Sequence, residues 1–254
     1  MGKAEPRRRR GDYGFDGDFR LVPAKVQAVL IVTMFAVLLG FVVFDVITGR
    51  DGAALGGGLI VLLLAFTAAS FAFTTRVGKF QVWARILAGL DLRGDERLLD
   101  LGCGRGAVLL AAAELLPEGH ATGVDKWRPD QTGNSPEATR RNAELEGVAA
   151  RVALHTGDMT GLPFADGSFD VVVSSFAIHH IPAAAGRRAA IGEAVRVLRP
   201  GGRLVIADLG HTREYLAWLR ELDIVTAERR NLGWRVWWGG PWFPSHVVTG
   251  TKSR

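Results

Sequence analysis

The residues best suited to chemistry begin in the stretch "LLDLGCGRG", Leu98 to Gly106, where Asp100 stands two places before Gly102, with Gly104 and Gly106 following at alternate positions. Glycines at this spacing after an apolar run let a backbone turn approach a nucleotide or nucleoside closely. Two further acids close apolar runs downstream: Asp125 in "ATGVD" and Asp158 in "GDMTGLPFADGSFD". An acid at the turn repels a pyrophosphate but binds an ammonium group. An acid after a second strand accepts ribose hydroxyls, and one after a third accepts an exocyclic amine. Three acids around a glycine turn therefore suit a cationic nucleoside without phosphate, and S-adenosylmethionine has that character. The glycines alone do not separate it from a dinucleotide, so a nicotinamide dehydrogenase stays as a remote alternative.

The elements that must position these residues follow from the pattern. "RLLDLG", "ATGVD", "RVALHTGD", "FDVVVSSF" and "GGRLVIADL" read as strands. They alternate with helices at "AVLLAAAELL", "SPEATRRNAELEG" and "RRAAIGEAVRVL", the second with Ser135 as N-cap, Pro136 at its first position and Gly147 at its end. This alternation predicts an α/β, doubly wound parallel sheet with its ligand at the carboxyl ends of the strands. Ahead of it, Phe80, Trp83, Ile86, Leu87 and Leu90 fall at helical spacing.

Before that helix the composition changes. No charge occurs from Val26 to Phe44 or from Gly52 to Thr75, and each run approaches or exceeds the roughly 20 residues a helix needs to cross about 30 Å of hydrocarbon. Hydrophobic residues make up 48% of the chain and the mean hydropathy is +0.15, high for one soluble core. A helical hairpin in the membrane is expected. Basic residues crowd the tail (Lys3, Arg7 to Arg10, Arg20, Lys25) and follow the second run (Arg76, Lys79, Arg85), while the linker holds Arg50 against Asp45 and Asp51. Both termini and the α/β part are thereby placed in the cytoplasm. The expected organisation is a basic tail over 1–25, a transmembrane hairpin over 26–75 and a catalytic domain over 76–254. The net charge of +5 belongs largely to those flanks, and the single Cys103 excludes an intramolecular disulfide or a cysteine metal cluster; no metal is expected.

"LLDLGCGRG", "GVD", "GDMTGLPFADGSFDVVVSS", "HHI" and "AVRVLRPGGRLVIADL", in that order, resemble the class I S-adenosylmethionine-dependent methyltransferases, in particular the small-molecule branch with the quinone and sterol enzymes. The resemblance covers about Gly78 to Lys252. It implies a Rossmann-like seven-stranded sheet ending in an antiparallel hairpin, drawn from "IVTAERRNLGWRVWW" and "SHVVTGTK". It also implies cofactor roles: Asp100, Gly102, Gly104 and Gly106 at the methionine end, Asp125 at the ribose, Asp158 and Met159 at the adenine. Lys126 and Trp127, just after the ribose acid, are counted with the cofactor wall, Trp127 either against the adenine or as a packing residue. Ser174 and Ser175 end the fourth strand, and one of them is expected to touch the methionine moiety through backbone or hydroxyl.

Transfer from a sulfonium needs mainly alignment. His179 and His180, past the fourth strand, are candidate general bases or plain wall residues. The strand lacks an Asn-Pro-Pro-Tyr-like ending, so nucleic acid is not the expected acceptor. Acceptor contacts are sought in the tail (Tyr13, Phe15, Phe19, as a lid or as disordered chain), in Gln131 and Asn134, and in the cluster Trp234, Trp237, Trp238, Trp242 and Phe243. That cluster rests on the bilayer, lines an apolar site, or supplies core positions of the sixth strand. The expected function is methylation of a lipophilic small molecule (quinone, isoprenoid, lipid or phenol) at the cytoplasmic membrane face, yielding S-adenosylhomocysteine. Membrane lipids are the expected surroundings, and Gly56 to Gly58 offer a weak signal for a homo-oligomer. Alternatives are a tethered protein or nucleic-acid methyltransferase and a non-catalytic cofactor-binding membrane protein.

Overall fold

The computed structural model describes residues 9–16, 24–128 and 133–254. Two long helices come first: α1 (Ala24–Ile47) and α2 (Asp51–Phe73) pack as a hairpin. Both are long and apolar enough to cross a membrane, and their large side chains stay outward, with Val32 67%, Phe41 64% and Leu62 68% exposed. A side chain built on Gly57 would meet Val42 of α1 at 2.9 Å, while Gly56 and Gly58 have nothing within 4 Å. Gly57 therefore serves the contact within the hairpin.

The boundary expected at 75/76 falls inside a continuous helix. From Thr74 to Gly78 the chain takes one π turn and runs directly into α3 (Lys79–Ala88). The distortion has a local cause: the hydroxyl of Thr74 donates to the carbonyls of Trp237 and Arg235, at 3.0 and 3.4 Å, and a Cβ on Gly78 would lie 1.7 Å from the Arg235 carbonyl oxygen. Close approach of a C-terminal segment is bought with the extra residue of the turn.

The remaining chain builds a seven-stranded sheet in the order β3-β2-β1-β4-β5-β7-β6. The strands are β1 (Arg97–Leu101), β2 (His120–Asp125), β3 (Val152–Thr156), β4 (Phe169–Ser175), β5 (Leu198–Asp208), β6 (Ile224–Asn231) and β7 (His246–Lys252). All neighbours are parallel except β7, which runs antiparallel to β5 and β6. The helices are α4 (Ala107–Glu114), α5 (Pro136–Glu146), α6 (Ala184–Val197) and α7 (Thr212–Glu221). Ser135 caps α5 by accepting from the Ala138 amide at 3.1 Å, Pro136 opens it and Gly147 ends it left-handed, as expected.

The two-residue period of the strands sorts the core onto both faces. Leu98, Val171, Val173 and Val205 pack with Trp83, Leu87 and the α4 residues. Leu99, Leu101, Val172 and Ile206 pack with Ile191, Tyr215 and Leu219 from α6 and α7. Because the chain reverses its winding between β1 and β4, a crevice opens at their carboxyl ends, where an α/β sheet holds a ligand.

Candidate active site

The crevice is a cleft of about 410 Å³ whose walls include Asp100, Gly102, Gly104, Asp125 and Asp158. Asp100 is the last residue but one of β1 and is buried, with Oδ1 lacking any partner among the described residues. Burial first, and the charge of Asp125 second, push its carboxyl up to about 8. A buried acid with an orphaned oxygen is costly alone, and an ammonium group supplies both the hydrogen bond and the charge it lacks. Gly102, at φ 74°, makes the turn over it: a Cβ there would sit 2.3 Å from that of Ala177 and 3.2 Å from Met159 Cε.

Asp125 ends β2 with each oxygen receiving one backbone amide, Gly104 at 2.8 Å and Trp127 at 2.7 Å. Those bonds fix the carboxylate at the cleft wall, where its oxygens are acceptors. Asp158 accepts from the Thr160 amide at 3.0 Å and pairs with Lys126. Partial burial works against its ionisation, but Lys126 and Thr160 outweigh it and hold the carboxyl below the usual range. The arrangement fits S-adenosylmethionine: an unpaired buried acid, a glycine cradle and two further acids along one wall.

The placement of the remaining expected residues is mixed. Lys126, Met159, His179, His180 and Asn134 line the cleft. Gly106 lies behind it as the left-handed cap of α4, and Ser174 points its hydroxyl at the Leu101 carbonyl, 2.9 Å away, while its neighbour Ser175 takes the lining position. Trp127 is outside the lining; its indole donates to Thr156 at 2.8 Å and its ring packs on the core. Cys103 is buried behind the turn, where burial pushes its thiol well up, as suits a packing residue.

Phe71 and Phe176 in the lining, and Asp208 behind it, escaped the sequence reading. His179 is held by Asp208, the buried last residue of β5: its amide donates to Oδ2 at 3.0 Å and its Nδ1 contacts Oδ1. Tyr215 donates to the same carboxylate at 3.2 Å, and burial followed by that charge raises its phenol. A carboxylate accepts only, so the imidazole proton is assigned to Nδ1 and Nε2 is left as an acceptor. Asp208 was visible to the rule that picked out Asp125 and Asp158, an acid closing a strand. Beyond Ser175, whose hydroxyl receives the Trp83 indole at 2.8 Å, the wall becomes aromatic. Phe176, Trp238 and Phe71 meet edge to face, at 5.0 and 6.0 Å from the Trp238 ring. Phe71 comes from the last turn of α2.

The tail segment 9–16 is docked rather than loose. Tyr13 is buried against Phe80, its hydroxyl donating to Glu146 at 2.8 Å; Asn142 and Asp12 exchange two hydrogen bonds; and Asp16 pairs with Lys79 at 2.6 Å on the cleft wall. Phe15 lies under the Arg76 guanidinium. Phe19 and Gln131, named with them from sequence, lie outside the described residues. The tryptophans are not strand core positions: β6 stops at Asn231, and Gly233, at φ 77°, turns the chain into an arm that runs along α2. Trp234 stacks on Phe73, Trp242 meets Phe66, and Ser70 donates to the Trp237 carbonyl at 2.7 Å.

Residues 98–202 match the family model described as a methyltransferase domain. A demethylmenaquinone methyltransferase of Beutenbergia cavernae is 42% identical over 135 residues, 52% of this chain and 49% of that protein. The chain thus spans about half the length of the curated relatives it matches. Among solved structures, an S-adenosylmethionine-dependent methyltransferase from Aquifex aeolicus aligns with a TM-score of 0.54 and 16% identity, over 67% of this chain and 89% of that one. The geranyl diphosphate C-methyltransferase of Streptomyces coelicolor, in complex with geranyl diphosphate and S-adenosylhomocysteine, aligns with a TM-score of 0.52 and 17% identity, over 66% and 78%. These structures share the fold. Residues 98–202 thus match a methyltransferase domain, and the chain is similar to class I S-adenosylmethionine-dependent methyltransferases, the quinone-methylating enzymes among them.

Proposed function

We propose that this chain methylates a lipophilic small molecule of the quinone or phenol type at the cytoplasmic face of a membrane in which α1 and α2 are embedded. One observation carries the reading: Phe71, from the helix long and apolar enough to span a bilayer, stands in the same cleft wall as the glycine turn and Asp125. A water-soluble acceptor gains nothing from an aromatic wall contributed by such a helix, whereas an apolar ring does. The basic flanks of the hairpin support the cytoplasmic side.

When bound, the cofactor supplies a methyl group already activated on sulfur. Asp100 neutralises the ammonium end, Asp125 takes the ribose hydroxyls and Asp158 lies on the adenine side. Phe176, Trp238 and Phe71 hold the acceptor ring, and Nε2 of His179 takes the proton from its hydroxyl while the Asp208 carboxylate balances the positive charge that forms on the imidazole. Asp208 is a positioning residue here, since it reaches the acceptor only through His179.

The test is calorimetric titration of the detergent-purified full chain with S-adenosylhomocysteine, beside Asp125→Ala, followed by methyl transfer from labelled cofactor to demethylated isoprenoid quinones in vesicles. Binding lost in the variant, and transfer to the quinones, is the expected result. No binding by folded protein overturns the cofactor role, and transfer confined to polar acceptors overturns the lipophilic one. Topology has its own reporter: with Cys103 buried, a cysteine introduced by Gly49→Cys should react with an impermeant thiol reagent only from the outer side.

A further inference from the structure

A second recess lies beside the first, with Trp238 in the wall of both. It measures about 810 Å³ and is bounded by the start of α7, by Arg229 on β6, by His246 on β7, and by Trp242 and Phe243 of the arm. Its charge is one-sided. Arg213 and Arg229 enter it with His246, and among the described residues neither arginine has a carboxylate within ion-pair distance. The one acid in the wall, Glu214, is engaged by Arg187 at 3.1 Å and His211 at 2.8 Å. Arg229 is aimed by its Nε, which donates to the Thr212 hydroxyl at 2.9 Å. At the same rim α7 begins, and its N-cap His211 gives the first turn no side-chain hydrogen bond, so the positive end of the helix faces the same space.

The cations disturb one another. Burial first, then Arg213, lowers the Arg229 guanidinium, and burial, then Arg229 and Arg213, lower His246. An anion in the recess relieves that repulsion and provides the bidentate acceptor that guanidinium groups match best.

The position says which anion. The arm touches α2 at Thr74, at Ser70 and, through Trp242, at Phe66, a descent of eight residues or about 12 Å at the helical rise of roughly 1.5 Å per residue. A headgroup layer is only about 5 to 8 Å deep on each side of the hydrocarbon. With the hairpin in a bilayer, Trp242 and Phe243, 47% and 56% exposed, would lie where headgroups meet acyl chains, and they share the recess wall with the two arginines.

We propose that this recess binds the phosphate of an anionic membrane phospholipid, held by Arg213 and Arg229, with Trp242 and Phe243 against the first carbons of its chains. The site rests on the membrane reading above. It ties the domain to the membrane at a second point, beside the aromatic mouth of the acceptor cleft.

The test is native mass spectrometry of the full chain in detergent, with phosphatidylglycerol or phosphatidylcholine of identical chains added, for the wild type and the R213Q/R229Q double variant. The wild type should retain phosphatidylglycerol over phosphatidylcholine by about tenfold, roughly the worth of one good charged contact. The double variant should show parity while binding S-adenosylhomocysteine as before. No headgroup preference in the wild type, or a preference that survives both substitutions, overturns the site. Inorganic phosphate at the lipid's concentration should displace little lipid; complete displacement assigns the recess to free phosphate and overturns the lipid. Flotation with pure phosphatidylcholine vesicles reads the anchor separately. Failure to float overturns the membrane reading itself, and flotation without headgroup preference overturns only the lipid site.

Discussion

The hairpin and the sheet domain use the same residues to opposite ends. In the domain, Leu98, Leu99, Leu101, Leu109 and Leu110 are fully buried, each facing a neighbour across the sheet or from a covering helix. In the hairpin, Leu39, Leu55, Leu59 and Leu62 are more than half exposed although α1 and α2 pack together. A two-helix contact cannot bury an all-round apolar helix, and in the membrane reading proposed above the bilayer covers what the protein leaves exposed. The contrast separates residues whose burial holds the fold from residues whose exposure fixes where the fold resides. Phe71 is the exception that joins them, an α2 residue placed in the cleft.

The largest effect that tests this contrast is a pair of truncations. Leu99→Ala opens a cavity in a dry interior and should cost the domain about 2 to 5 kcal/mol. Leu62→Ala, in detergent, should stay within about 0.5 kcal/mol of wild type. Denaturant unfolding followed by loss of S-adenosylhomocysteine binding measures both. A comparable cost for Leu62→Ala would mean that the hairpin packs against protein, and the contrast would fail.

A smaller effect sharpens the contrast at the join. Gly78→Ala places a methyl group on the Arg235 carbonyl, 1.7 Å from its oxygen and 2.8 Å from its carbon. One of the two backbones must move, at a cost of about 1 to 3 kcal/mol as in other overpacked sites. Trp234 then loosens from Phe73, and tryptophan emission should shift to the red. The Michaelis constant for the acceptor should rise with cofactor affinity unchanged, because Gly78, Trp234 and Arg235 all lie outside the lining of the cleft, while the displaced arm carries Trp238 in it. Gly56→Ala, with nothing within 4 Å, is the control.

Much of the domain was legible because its signals are local. Ser135, Pro136 and Gly147 bracket α5 with their own caps, and the two-residue period in "FDVVVSS" needs no partner to be read. The three acids were legible for the same reason, each at or just past the end of its own strand. What escaped depends on chain segments far apart. Nothing near Thr74 announces that Arg235 and Trp237 will press on it, so a continuous helix with a π turn was read as a boundary. Tyr13 looks like a tail residue until Glu146, 133 positions away, takes its hydroxyl. Phe71 has the composition of any lipid-facing residue. Trp127 sits beside the ribose acid in sequence, but its left-handed backbone, φ 55°, turns the ring toward Thr156 instead. Asp208 was the avoidable omission, since its signal was as local as that of Asp125.

An effect of similar size concerns a misfit inside the domain, the counterpart of the hairpin's exposed leucines. Asp100 is a polar group buried where leucines surround it, and its carboxyl is raised from an ordinary 3.8 to about 8. An acid whose folded value lies above its unfolded one favours the fold only while protonated. Its contribution is therefore fully present below about pH 4 and is lost as the pH rises through about 8. Asp100→Asn removes that loss, so the ligand-free variant should be the more stable form near pH 8, by about 1 to 3 kcal/mol, the worth of an unsatisfied buried polar group. The advantage should fade toward pH 5. Saturating S-adenosylhomocysteine should reverse the order, since its ammonium pairs with the wild-type carboxylate and finds only an amide in the variant. Thermal unfolding at pH 5, 6.5 and 8, with and without the ligand, reads all of this. A wild type and variant that run parallel across that range would mean that Asp100 is already satisfied without cofactor, and that the orphaned oxygen is no mark of a binding site.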